Sequence, residues 1–141
     1  ESGYNLAKEI INQPEKPQAI YSSNDIMAIG ILQAFSEVSI RVPEDIALVG
    51  FDNINIASLP GVELTSVAFR LETMGMLAVD RVIDLVKKGG GDILTRVLLD
   101  PILTIRKTCG FHNCGGYKRW KKYLKRKDLE GKPILSKIGD K

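Results

Sequence analysis

The chain has 141 residues, 44% hydrophobic and 26% charged, which suits one globular domain with a tail and is too short for two well-cored domains. No apolar run approaches the roughly 18 to 20 residues of a membrane span, and Glu1-Ser2-Gly3-Tyr4 lacks the basic and apolar regions of a secretory signal, so no membrane association and a cytoplasmic location are expected. The net charge of +3 hides a division: residues 1–106 hold 9 Lys/Arg against 14 Asp/Glu, whereas 107–141 hold 11 against 3, so an acidic body carries a strongly basic tail.

Tyr4, Ala7, Ile10 and Ile11 recur at helical spacing, and Pro14 with Pro17 ends the run, which predicts an amphipathic helix over 3–13. Residues 18–22 form a brief apolar strand, closed by the cap-forming run Ser22-Ser23-Asn24-Asp25. A helix over 26–38 follows that is apolar nearly all round, so one face needs a sheet and the other needs a second cover. Residues 41–45 are a polar connection, and 46–51 a second unbroken apolar strand ending in the turn Asp52-Asn53. Residues 64–69 read as a third strand. A long helix runs over 71–88 with Leu71, Met74, Ala78, Val82 and Leu85 along its inner stripe, stopped by Gly89-Gly90-Gly91. Two short strands are predicted at 96–99 and 102–106. Continuous apolar strands alternating with helices define an α/β fold: an open parallel sheet with helices on both faces, joined by right-handed crossovers.

The composition shifts near residue 108, so the expected organisation is a body over 1–108 and a basic appendage over 109–141, helical or without fixed structure. Its run Lys118-Arg119-Trp120-Lys121-Lys122-Tyr123 reads first as a solvated charged segment, with Trp120 and Tyr123 available for stacking if a single strand were bound. Cys109, His112 and Cys114 lack a fourth ligand and a second paired motif, so no metal site is assigned. The only histidine sits in the tail beside no nucleophile motif, and the glycine triplet follows a helix where a phosphate cradle would precede one. Neither a catalytic triad nor a cofactor is expected, and the chain is read as a non-enzyme.

Asp25 and Asp52 each fall just after a parallel strand, on the rim where open α/β sheets bind ligands. A carboxylate there can accept from vicinal hydroxyls, and Asn24 adds an amide with donor and acceptor. The same residues have ordinary uses: Asn24 or Asp25 as a helix cap, Asp52-Asn53 as a turn.

Three segments carry a resemblance. SSNDIMAIG at 22–30, RVPEDI at 41–46 and LVGFDN at 48–53 are similar, in order and spacing, to signature segments of lactose/galactose-repressor-type bacterial regulators. LTSV at 64–67, Met74-Gly75 with Ala78, and Ser2-Gly3-Tyr4 extend the likeness over residues 2–106. The resemblance implies a periplasmic-binding-protein-like lobe that senses a small effector, a sugar first of all, with Asp25 as an effector contact, Asn24 beside it and Asp52 near the cleft. It implies a homodimer in which the helix over 26–38 meets its own copy through Met27, Ile31, Ala34, Phe35 and Val38. DNA would be bound only through a head domain that this chain does not contain, and a first residue other than methionine fits a longer parent. The alternative is the binding part of a sugar transport receptor, which shares the fold.

Overall fold

The computed structural model describes residues 2–87 and 96–112. In chain order these form α1 (Ser2–Ile11), β1 (Ala19–Tyr21), α2 (Asp25–Glu37), β2 (Ala47–Phe51), a 3-10 turn (Asn55–Ser58), β3 (Thr65–Ala68), α3 (Leu71–Lys87), β4 (Ile102–Thr104) and a second 3-10 turn (Lys107–Cys109). The glycine triplet and the basic run at 118–127 lie outside the described residues, as does Cys114.

The four strands form one sheet in the order β1-β2-β3-β4. β1, β2 and β3 are parallel, with Ile20 beside Leu48 and Gly50 beside Ser66, as expected of apolar strands separated by helical crossovers. β4 departs from that pattern. It runs antiparallel to β3, pairing Val67 with Leu103, and so forms an antiparallel edge to the sheet. Only Ile102–Thr104 of the two predicted terminal strands joins the ladder; residues 96–100, just before Pro101, have no strand pairing.

Burial alternates along β2, with Leu48 and Gly50 turned inward and Ala47, Val49 and Phe51 half exposed on the opposite row. α2 lies over the inward row and α1 packs on α2, so these two helices stack in two layers on one face of the sheet. The core comprises Ala7 of α1, Ala28, Ile31, Ala34 and Phe35 of α2, with Ile46, Leu48, Ala57 and Leu64 below. Burying a side chain such as Phe35 or Leu48 is worth about 1.5 to 3 kcal/mol, so this set supplies the main driving force for the fold.

α1 is therefore the second cover that α2 requires, and this corrects the interface drawn from sequence. Ile31, Ala34 and Phe35 are core residues of the chain itself, Phe35 with no exposed surface, so they offer no surface to a second subunit in this fold. Met27 is half buried at the same contact, and of the five only Val38, at 49% exposure, remains on the surface. Two glycines make the helix contact close. A Cβ on Gly3 would collide with the backbone of Met27, and one on Gly30 would lie 2.9 Å from the nitrogen of Tyr4. Tyr4 donates its hydroxyl to Glu37 at 2.6 Å, fastening the other end of the pair.

The connection from α2 to β2 is closed by Arg41, whose guanidinium and backbone N–H all donate to the Asp45 carboxylate at 2.7 to 3.0 Å. The Arg41 hydrogen bonds hold Asp45 well below the usual carboxylate range, at about 2. α3 stands apart from this core: its 17 residues include none that is buried, so the stripe of Leu71, Met74 and Val82, expected to face inward, is exposed instead.

Candidate functional site

The C-terminal ends of β1 and β2 place two polar pairs, Asn24-Asp25 and Asp52-Asn53, on one rim of the sheet. Their members have opposite fates. Asn24 is the N-cap of α2: its backbone is extended (φ −154°, ψ 166°) and its Oδ1 accepts the N–H of Met27 at 2.8 Å, satisfying one of the free donors of the first turn. Ser22 fixes the approach, donating its N–H to Val49 at 2.8 Å and its hydroxyl to the carbonyl of Asn24 at 2.9 Å. Asn24 is half exposed, and its amide nitrogen makes none of the described hydrogen bonds.

Asp25, the first residue of α2, is fully buried. Oδ1 accepts the Ser66 hydroxyl at 2.6 Å and Oδ2 accepts the N–H of Ile54 at 2.9 Å. Gly50 lies against the carboxylate, and a Cβ there would collide with Oδ1 and come within 2.9 Å of Leu64. The expectation that Asp25 projects into a cleft is thus corrected. Its two oxygens are engaged inside the chain, where they bolt the start of α2 to β3 and to the turn after β2.

Asp52 and Asn53 form that turn, and both adopt left-handed backbone, with φ 96° and φ 50°. Asn and Asp enter this region more readily than other non-glycine residues, and surrounding contacts hold them there. The contacts are present: the N–H of Asp52 donates to Val67 at 2.9 Å, that of Asn53 to the Ser66 hydroxyl at 3.0 Å, and Asn53 Oδ1 accepts Arg106 Nη2 at 2.8 Å. Asp52 is exposed, and its carboxylate takes part in no hydrogen bond or ion pair among the described residues. An unengaged carboxylate held in strained backbone at a strand end is an acceptor prepared for an external donor.

Aromatic side chains complete the rim. Tyr21 ends β1, Phe51 ends β2 and Phe69 follows β3. The Tyr21 and Phe51 rings meet edge to face at 6.3 Å, and those of Phe51 and Phe69 at 4.8 Å. Tyr21 is 61% and Phe69 42% exposed, a ring surface suited to the apolar face of a small cyclic molecule. Sequence reasoning missed this row, although an aromatic at the end of each of three strands was visible. It also missed Ser66 and Arg106, which are joined to the turn over long sequence separations.

An open, mostly parallel α/β lobe with acceptors and aromatic rings at its strand ends is a ligand-binding lobe in class. The chain belongs to the family of periplasmic binding protein-like domains, whose pattern matches residues 1–109. It is similar to the ribose operon repressor of Escherichia coli, 36% identical over 78 residues, which are 55% of this chain and 24% of the relative. The HTH-type transcriptional repressor MelR of Bacillus subtilis is 36% identical over 108 residues, 77% of this chain and 31% of the relative. Among solved structures, a LacI family transcriptional regulator from Arthrobacter in complex with lactose superposes with a TM-score of 0.68 at 31% identity, over 77% of this chain and 41% of that one. The chain thus spans 24% and 31% of the length of the two curated relatives named here. The likeness to lactose/galactose-repressor-type regulators is borne out by these comparisons.

Proposed function

We propose that the chain is the effector-sensing part of a bacterial transcription regulator, binding a sugar or a related hydroxyl-rich small molecule at the rim of β1 and β2. Asp52 accepts from the effector's hydroxyls, the free amide of Asn24 donates beside it, and the aromatic row offers a ring surface. Asp25 supports this site from beneath without touching the ligand. The observation that carries the reading is the Asp52 carboxylate, exposed and, among the described residues, without a partner, in left-handed backbone.

The relatives supply the direction: two are repressors, and a structural neighbour holds lactose. In this reading the body ends near residue 109, where the family match stops, and the basic segment is an appendage. The effector works by population shift, favouring one arrangement of lobes and so changing how DNA-binding heads elsewhere in the protein are spaced. The protein acts in the cytoplasm as a homodimer and catalyses no reaction. Among the described residues no helix is long and apolar enough to cross a membrane. With Ile31, Ala34 and Phe35 inside the core, α2 offers a two-fold contact little more than Ile26 and Val38, so the principal dimer surface lies elsewhere in the protein.

The test is calorimetry on the protein expressed from its complete gene, titrated with ribose, galactose and lactose. Binding of one sugar that Asp52→Asn weakens by about tenfold, with an unchanged melting temperature, supports the reading; a loss of this size is one charge-assisted hydrogen bond. Undiminished binding in Asp52→Asn removes Asp52 from the site.

A further inference from the structure

The Asp52-Asn53 turn is imposed on the backbone, and the structure identifies what imposes it. Backbone donors at Asn53 and Ile54 are held by Ser66 and Asp25, which fix the exit of the turn. The one described side-chain contact of Asn53 itself is with Arg106, which reaches it from the segment that follows β4. The Arg106 guanidinium is a two-point clamp: Nη2 donates to Asn53 Oδ1 at 2.8 Å and Nη1 to the carbonyl of Leu64 at 2.6 Å.

The clamp is itself held in register. The Arg106 backbone N–H donates to Thr65 Oγ1 at 2.8 Å, the Thr65 N–H donates to Thr108 Oγ1 at 2.9 Å, and Lys107 N–H donates to the carbonyl of Glu63 at 3.0 Å. Thr65 and Thr108 are both buried, so this lacing is shielded from water. Arg106 therefore sits at a fixed point, with its two donors aimed at β3 and at the turn.

We infer that Arg106 is a positioning residue for effector binding: by gripping Asn53 it holds the neighbouring Asp52 carboxylate at the rim before the ligand arrives. The inference rests on the reading of Asp52 as an effector contact. A planar fork spans two acceptors at once, whereas a lysine ammonium on a flexible stem reaches one of them, so Arg106→Lys keeps the charge and loses the clamp. Preorganisation of this kind appears in affinity, because a turn that samples other conformations must be reordered by the ligand.

The test uses the protein from its complete gene and four variants: Arg106→Lys, Asn53→Gly, Asp52→Asn, and Arg41→Gln as a distant control that removes another exposed arginine contact. Three quantities are read: melting temperature, hydrogen exchange of the peptide covering 51–58, and calorimetric affinity for ribose, galactose and lactose. Arg106→Lys is expected to speed exchange at Asn53 and Ile54 and to weaken the bound sugar about tenfold, the size of one lost charge-assisted hydrogen bond. Asn53→Gly gives the same loss of affinity with no fall in melting temperature, since glycine takes the left-handed angle freely while the acceptor for Arg106 is gone. Arg41→Gln changes neither exchange nor affinity. Because Arg106 acts through Asp52, Asp52→Asn combined with Arg106→Lys should cost little more than Asp52→Asn alone.

Unchanged exchange over 51–58 in Arg106→Lys, affinity within twofold of wild type in both Arg106→Lys and Asn53→Gly, or fully additive losses in the double variant would each overturn this inference and leave Asp52 as a contact. Absence of binding to any of the sugars by the unaltered protein removes the effector reading and this inference with it.

Discussion

Asp25 is where the two uses of a rim carboxylate can be separated by measurement. In Asp25→Ala both acceptors vanish, and the fully buried Ser66 hydroxyl and the partly buried Ile54 N–H lose their partners. Each buried donor left unsatisfied costs about 1 to 3 kcal/mol, so the variant should lose about 2 to 6 kcal/mol. Asp25→Asn is milder. Its carbonyl can keep the Ile54 N–H, but it presents an NH2 group to Ser66 Oγ, which already accepts from Asn53 at 3.0 Å, and the serine proton is left without an acceptor. A loss of about 1 to 2 kcal/mol is expected there.

For a domain of this size each kcal/mol moves the melting temperature by about 4 to 8 °C, so the two variants should be well resolved by thermal unfolding followed by circular dichroism. Effector affinity measured on the folded fraction should change less than that of Asp52→Asn. If Asp25→Asn melts within about 2 °C of the parent, a span smaller than one lost hydrogen bond produces, and yet abolishes binding, the bolt is the wrong description and Asp25 touches the ligand after all.

Three further outcomes follow from the packing and charges. Phe35→Asp places a charge in a core position with no exposed surface and should cost more than about 4 kcal/mol, seen as loss of the native dichroism signal; a folded chain that merely changes its sedimentation would restore the interface reading of α2. Gly50→Ala should destabilise by about 1 to 3 kcal/mol through collision with the Asp25 carboxylate, whereas Gly75→Ala, where a Cβ meets nothing within 4 Å, should stabilise α3 by about 0.5 to 1 kcal/mol; denaturant titration of both checks the contrast. Asp45 is depressed from 3.8 to about 2, so its pairing favours the folded state above the ordinary carboxylate range and is lost as pH falls from about 4 through about 2; carboxyl NMR titration should find it returned to the ordinary range in Arg41→Ala, with almost no change in melting temperature because the pair is on the surface.

Much of the fold was legible because its signals are local. Apolar runs bounded by caps and turns located β1, β2, β3 and all three helices to within two residues at each end. What was illegible depends on contacts far apart in sequence. Nothing local announces that Gly3 and Gly30 face each other, so the partner of α2 was sought in a second subunit when α1 already supplied it. Pro101 marks a break, but only the pairing of Ser66 with Thr104 shows that the last strand returns antiparallel. Ser66 and Arg106 read as unremarkable polar residues until the fold brings them, across separations of 41 and 53 residues, to Asp25 and Asn53.

The candidate site repeats this lesson at the scale of single residues. Asn24 and Asp25 are adjacent and both able to cap a helix, yet successive helical positions differ by roughly 100° around the axis, so only one can stay at the rim while the other turns toward the sheet. Gly50 decides which: only a residue without a side chain leaves room for a carboxylate at that point of β2, and Asp25 fills it. The second pair is arranged alike, with Asn53 tied to Arg106 and Asp52 left exposed. In both pairs the locked residue sets the conformation of the free one, so replacing either will weaken a ligand held at the rim. A fall in affinity therefore cannot by itself name the contact. The discriminating observation is affinity lost at constant stability with unchanged amide exchange in the turn, which a ligand contact, the role proposed for Asp52, should give and the supports Asp25 and Arg106 should not.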